Sequence, residues 1–414
     1  MFTSIYGRGK KSADVTQSLT RNLRSGCAAL LLGALTLAGC TTTDVRTTAY
    51  TPLTVEDAAI PEGRLLDVGV VQFDTGLDQL EDDEEALVFP ELRRAESRYI
   101  AVTLADSLQS SQGWGAVRVI PSQRTNIDVT VAGTIMKSDG ETLTVSVTVT
   151  DSRGQVWFTK EYTEQASHYA YDRKHPTEGD AFQGIYNRIS NDMLIYRQGL
   201  SDQYVSELRT ISEIKFAKSF APDAFERYLT QNEEGIYQLR ALPAENDPML
   251  QRVRRIRERD YLFVDTLQGH YDTFVKTMET PYQEWRAMSY EEVKQMRELK
   301  RKARNNTIMG VAAIVGGIAA AGAGGGAARQ AGNVAVAGGG YLVKSGFDRR
   351  AEAKMHIEAL QELGDSMQAE VEPRIVELED RTVTLSGSVE NQYRQWRELL
   401  KEIYEAETGG MRDI

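Results

Sequence analysis

The side chains that most often do chemistry stand here at spacings that match no known catalytic or ligand motif. The four histidines, His168, His175, His270 and His356, fall in separate segments, and none belongs to an HExxH pair or another ligand spacing. There is no Gly-x-Ser-x-Gly elbow. Gly338-Gly339-Gly340 lacks the Lys-Ser/Thr that completes a phosphate loop, and Lys344-Ser345 comes too late. Asp67, Asp74 and Asp78 lie near the end of an apolar run, where an α/β protein could place a site. With no base nearby in sequence they read as loop caps. The expectation is a protein that is not an enzyme and that takes no cofactor and no metal, although distant residues can still converge. The two cysteines are Cys27, just before an apolar run, and Cys40, at its end, so a Cys-rich metal site is excluded.

Cys40 has the more telling context. Arg21 and Arg24 precede an apolar stretch from about Ala28, which closes on Leu37-Ala38-Gly39-Cys40. A basic region, an apolar core of about ten residues and small residues before the break make a secretory signal or a short membrane anchor. The ending resembles the bacterial lipoprotein signal, in which a large aliphatic residue and two small ones precede a lipidated cysteine. The resemblance implies cleavage before Cys40, a lipid on its side chain and N-terminus, and an envelope address. Thr41 is not the aspartate that the family associates with inner-membrane retention, so the resemblance implies the outer membrane, on its periplasmic face. Met1–Thr20 precedes the usual signal layout and is either an extended basic region or an early start.

Residues 40–414, 375 in all, suit two or three domains. They carry 43 basic and 59 acidic side chains, a formal charge of −16. Such a chain repels polyanions, and no general nucleic-acid binding is expected. Residues 40–62 hold six threonines from Thr41 to Thr51, together with Pro52 and Pro61, and show no sustained period. They read as a lipidated tether, with an ordered strand lying along the domain as the alternative.

The fold expected is mixed α+β: a small α/β domain, then a long helical region with a glycine-rich helical hairpin. Over 63–170, Leu66–Phe73 reads as a strand and Ala95–Ser111 as a helix with Ile100, Leu104 and Leu108 on one face. Val117–Ile120 and Ile127–Ile135 are strands. Leu143, Val145, Val147 and Val149 alternate on a fourth strand, and Asp151-Ser152-Arg153-Gly154 turns the chain into a fifth from Val156. This stretch resembles a periplasmic α/β domain found in the curli secretion channel lipoprotein, in lipoprotein activators of penicillin-binding proteins, and at the N-terminus of the Tol-system propeller protein. The likeness rests on the β-α-β order, on Ile127-Asp128-Val129-Thr130-Val131-Ala132-Gly133 where those proteins have Ala-Asp-Tyr-Leu-Ile-x-Gly, and on the terminal hairpin. It implies a domain that docks or assembles. The membrane-inserted hairpins of the curli channel have no room here.

Residues 178–304 show helical stripes: Phe182, Ile185, Ile189 and Met193, then Tyr204, Leu208, Ile211 and Ile214. Pro222 marks a helix start, and Phe225, Tyr228 and Leu229 read as the next stripe. Val253 to Met278 is another helix, which Pro281 is expected to interrupt and Tyr290 to resume. Arg252, Arg254, Arg255, Arg257 and Arg259 read as a solvated helix face with intrachain pairs. Residues 305–346 follow. Asn305–Ala328 contains 24 residues without a charge, a helix of about 36 Å, and Ala331–Val343 is a second apolar stretch. The pair resembles a glycine zipper. Each glycine costs a helix about 1 kcal/mol, so twelve between Gly310 and Gly346 call for close packing. Gly310, Gly316, Gly317, Gly322, Gly326, Gly338, Gly339 and Gly340 are the candidate oligomer or membrane interface. A hairpin buried within one chain and a loose loop are the other arrangements.

Residues 347–414 read as a helix over Asp348–Met367, a strand over Thr382–Val389 and a helix with Tyr393, Trp396, Leu399, Leu400 and Ile403 on one stripe. The phrase Leu-Ser-Gly-Ser-Val before a helix resembles small phospholipid-binding domains of envelope lipoproteins; a helix docked on the body is the plainer alternative. Together these readings point to a lipid-anchored outer-membrane scaffold that forms homo-oligomers and meets other envelope proteins. The alternative is a lipoprotein regulator that reaches across the periplasm to a peptidoglycan synthase.

Overall fold

A computed structural model describes residues 51–80, 90–121, 126–171, 179–244, 246–318, 374–377 and 382–408. The signal, Cys40, the acidic run Glu81–Glu85, His175, His356, the 348–367 helix and Gly322, Gly326, Gly338, Gly339 and Gly340 lie outside the described residues.

The α/β domain is a five-stranded sheet in the order β2-β1-β3-β4-β5. Strand β1 (Val68–Val71) leads through helix α1 (Pro90–Ser110) to β2 (Val117–Ile120), parallel to it. Strand β3 (Val129–Ser138) lies on the other side of β1, also parallel. From there β3, β4 (Thr142–Asp151) and β5 (Val156–Gln165) form an antiparallel meander. The alternation read in β4 sets the layers. Leu143, Val145, Val147 and Val149 are buried on the face that packs against Ile100, Leu104 and Leu108 of α1. On the opposite face, Thr144 bonds Thr163 and Thr148 bonds Thr159 across the strands, the hydroxyl pairing suited to a wetter surface.

Helices α2 (Gln183–Gln198) and α3 (Asp202–Phe220) follow their predicted stripes. Ser201 caps α3, accepting from the Tyr204 N–H, and Pro222 opens the four-residue α4 (Pro222–Phe225). The stripe expected after Phe225 ends differently. Leu229–Gln231 (β6) pairs with Tyr237–Leu239 (β7) as a small hairpin. The Asn232 carboxamide accepts from the N–H groups of Glu234 and Ile236, and Gly235 takes φ +80°, which closes the turn before a helix can propagate.

Helix α5 runs without a break from Pro248 to Ile318, 71 residues or about 107 Å. Pro281 does not interrupt it, contrary to the expectation. Proline removes one ladder bond and crowds the carbonyl a turn earlier. Here Phe274 and Met278 before it, and Tyr282 and Trp285 after it, pack with Leu92, Ala95 and Tyr99 of α1. That cluster holds the two halves in line.

A second hairpin, β8 (Arg374–Glu377) and β9 (Thr382–Leu385), precedes α6 (Val389–Thr408). Helix α6 docks on α5, as the plainer reading of this region had it: Trp396 stacks on Phe263 with ring centroids 4.8 Å apart. The chain from Thr51 to Arg64 lies against α1 and α2. Asn187 donates to the Thr51 carbonyl, Asn191 accepts from the Thr54 N–H and donates to the Pro52 carbonyl, and the Glu56 N–H bonds the Ser111 carbonyl. This part of the Thr/Pro-rich stretch is therefore seated along the domain.

Candidate functional site

Two strands that run parallel in register bring together residues far apart in sequence. Val68 stands opposite Val129, so Asp67 and Asp128, just before them, meet at the amino ends of β1 and β3. The Asp67 N–H donates to Asp128 Oδ2 at 3.0 Å, and Asp67 Oδ1 accepts from the Ala116 N–H. Arg118 of β2 comes beside them, with Nη1 3.8 Å from Asp67 Oδ2.

Helices α3 and α5 close the other walls. Arg254, Glu258, Tyr261 and Asp265 recur every three or four residues and so share one face of α5. Arg118 grips Asp265 through Nε and Nη2 at 2.5 and 3.2 Å, and Arg254 grips Glu213 of α3 in the same two-pronged way. Two guanidiniums lie against the Tyr261 ring, Arg118 at 4.8 Å and Arg257 at 5.2 Å from its centroid. Below it, Arg257 Nη2 donates to the Tyr261 hydroxyl and to Ser212 Oγ, and the Ser212 hydroxyl bonds Asp128. The result is an open cleft of about 580 Å³ lined by both signs of charge.

Burial sets the protonation here. It pushes the Asp128 carboxyl up, with Arg257 and Ser212 pulling against it. It pushes the Tyr261 hydroxyl up to about 12. Burial also works against the Arg257 charge, but Tyr261 and Asp128 outweigh it and hold the guanidinium above its ordinary value. Ser212 is fully buried beneath the floor, so it braces Asp128 and Arg257 and is not presented to a substrate.

A second polar centre fixes α5 to the domain. Arg286 is fully buried; Nη1 donates to Asp180 Oδ2 at 2.6 Å and Nη2 to the Tyr282 hydroxyl at 2.7 Å. Tyr99 donates to the same Asp180 oxygen, and the hydroxyls of Tyr282 and Ser138 both donate to Glu96 Oε1. The guanidinium lies 3.8 Å from the Tyr282 ring centroid and 4.9 Å from that of Phe182. The cation thus ties α5 to α1 and to the start of α2, and the Tyr282–Glu96–Ser138 bonds extend the network to β3.

The predicted residues divide as follows. Asp67 joins the cleft. Asp74, at the opposite end of β1, accepts from the Gly76 N–H as a loop cap, and Asp78 lies in a short 3₁₀ turn. The arginines of α5 make the intrachain pairs expected: Arg252 and Arg259 with Glu407, and Arg254 with Glu213. Arg257 departs from the solvated face and is built into the cleft floor. His270 lies 3.1 Å from Arg374 Nη2, which joins the β8 hairpin to α5. Gly310, Gly316 and Gly317 stand on the last turns of α5. Sequence named none of Arg118, Asp128, Tyr261, Asp180 and Arg286 as a site residue; Tyr261 read as one of the aromatic core or helix–helix contacts, and Asp128 only as part of a strand motif. Their one local signal is the four-residue spacing of Arg257 with Tyr261 and of Tyr282 with Arg286.

Among the described residues, no group of three His, Cys, Asp or Glu side chains is placed to hold a metal ion, and no helix is long and apolar enough to cross a membrane. Compared with known proteins, the chain matches no family model and no curated protein sequence.

Proposed function

We propose that this chain is a lipid-anchored outer-membrane scaffold that assembles with copies of itself through residues 305–346. The observation that carries the reading is α5. The helix packs into the body from Leu250 onward, is clamped to it through Arg286, and continues for 28 residues past Tyr290, about 42 Å, to Ile318 inside the glycine-rich segment. A rigid strut joined to a segment that needs close packing suits a part that positions an assembly. In this reading Cys40 carries the lipid on the periplasmic face, and Gly310, Gly316, Gly317, Gly322, Gly326 and Gly338–Gly340 supply the close-packed surface.

The test is light scattering on size-separated protein extracted from membranes. The intact chain gives a mass several times that of the protomer. Removing 305–346, or changing Gly322 and Gly326 to leucine, gives the protomer mass. A monomeric intact chain defeats the reading. Cys40→Ser separately tests the anchor, since it releases the protein from the membrane fraction.

The second reading, a lipoprotein regulator of a peptidoglycan synthase, is favoured by the cleft of Asp67, Arg118 and Tyr261. There the α/β domain offers a charged surface of the kind that steers a partner. A monomer that captures a synthase, and loses it in Arg118→Glu, moves the conclusion to this reading.

A further inference from the structure

Helix α6 is joined to the body through side chains, and its chain link is long: 55 residues separate Ile318 from Arg374. Its buried stripe, Val389, Tyr393, Trp396, Leu399, Leu400 and Tyr404, covers an apolar surface of α3 and α5 that includes Phe216, Phe220 and Phe263. Rings meet across the joint, Trp396 on Phe263 and Tyr404 on Phe220. At the rim Glu407 pairs with Arg252 and Arg259.

At the centre of this apolar joint sits a carboxyl group. Asp260 of α5 is 1% exposed. Its Oδ1 is buried without a hydrogen-bond partner, and its Oδ2 reaches Arg397 Nη1 and the Tyr393 hydroxyl only at 3.5 Å each. Trp396 Nε1 is likewise buried, outside hydrogen-bond geometry, yet close enough to favour the charged form of Asp260. Arg397 is shared: Nη2 donates to Ser219 Oγ of α3, and its guanidinium lies over the rings of Phe216 and Phe220 at 5.0 and 4.7 Å. The charged and titratable groups facing Asp260 are therefore Arg397 and Tyr393 from α6 and Arg257 from α5, with Ser219 the polar neighbour on α3. A buried carboxylate with one oxygen unmatched and the other held at long range is poorly compensated.

We propose that α6 is a proton-sensitive latch: its hold on α3 and α5 strengthens on acidification because Asp260, sealed beneath it, takes up a proton. With α6 docked, burial pushes the Asp260 carboxyl up to about 6, with Arg397, Tyr393, Arg257 and Trp396 pulling against it. With α6 released, the carboxyl regains water and falls toward the ordinary 3.8. The docked form thus binds the proton more tightly. Docking is tightest below the released value and weakens as pH rises through about 6. These two values make the docking equilibrium about tenfold more favourable at pH 5 than at neutral pH.

The experiment is hydrogen exchange on the full-length chain, followed over Val389–Thr408 and corrected for intrinsic rate. Protection of α6 rises about tenfold between pH 7.5 and 5, while that of β4 stays level. Asp260→Asn, a near-isosteric neutral replacement, makes α6 protection high and independent of pH. Arg397→Gln removes the opposing charge and moves the wild-type transition to higher pH. A wild-type α6 whose protection is flat or falls on acidification overturns the proposal, and so does an unchanged rise in Asp260→Asn. The latch stands or falls independently of self-association through residues 305–346.

Discussion

The buried pair of Arg286 and Asp180 offers the sharpest test of how the strut is held. Its side chains are 0% and 4% exposed, so neither charge has water to turn to when its partner is removed. Arg286→Met keeps the length of the side chain but leaves the Asp180 carboxylate with the Tyr99 hydroxyl, the Phe182 N–H and a distant Gln283 amide. Asp180→Asn keeps the shape but leaves a cation among Tyr99, Phe182 and Tyr282. Stranding one member of a buried pair costs about 3–5 kcal/mol, whereas replacing both with neutral groups is often close to neutral. Each single variant is therefore expected to lose about 3–5 kcal/mol, and Arg286→Met/Asp180→Asn less than either. Tyr282 retains Glu96 as acceptor in all three, so the cycle isolates the pair. The assay is urea unfolding of the full-length chain in detergent, followed by helical circular dichroism. If the two single losses simply add in the double variant, the pair is not coupled and Arg286 does not clamp α5 in the way described.

Further outcomes follow from other close contacts. Gly140 turns β3 into β4 at φ +76°, and a Cβ there would stand 2.4 Å from the Arg286 carbonyl oxygen. Gly140→Val should cost at least about 1–3 kcal/mol, read as a lower thermal midpoint, and an unchanged midpoint refutes the close approach. Gln268 of α5 covers the outer edge of β2, accepting from the Val119 N–H and donating to its carbonyl. Gln268→Leu should cost about 1–3 kcal/mol and speed exchange at Val119; exchange as slow as in the parent argues against that cover. Asn187→Ala with Asn191→Ala removes three bonds to the backbone of Thr51–Thr54. Limited proteolysis should then cut near Pro52 faster while the core midpoint moves by no more than about 1 kcal/mol per bond lost. Equal cutting in both proteins would show that the strap is held elsewhere.

Local periodicity made the main elements legible. Leu143, Val145, Val147 and Val149 had to share one face of a strand, and Ile185, Ile189 and Met193 one face of a helix, because those spacings belong to the backbone itself. The same logic overreached at Leu229, where the Asn232–Gly235 turn makes a hairpin, and at Pro281, where packing on both sides overrides a local break. The seating of Thr51–Arg64 had no period to announce it, since backbone groups of the strap, bonded by Asn187 and Asn191, do most of the work.

What the amino-acid order determined alone is the material along the line: a basic–apolar start ending at Cys40, a strand-rich portion, helical stripes, and a glycine-rich stretch that needs close packing. Tertiary structure decided which charges meet. Asp67 and Asp128 become neighbours only through parallel registry of β1 and β3, and Arg118 joins Asp265 across 147 residues. Arg286 and Asp180 lie 106 residues apart. A charge carries no local mark of burial; its partner and its distance from water are set when the elements pack. That is why the cleft, the clamp on α5 and the carboxyl buried under α6 belong to the fold.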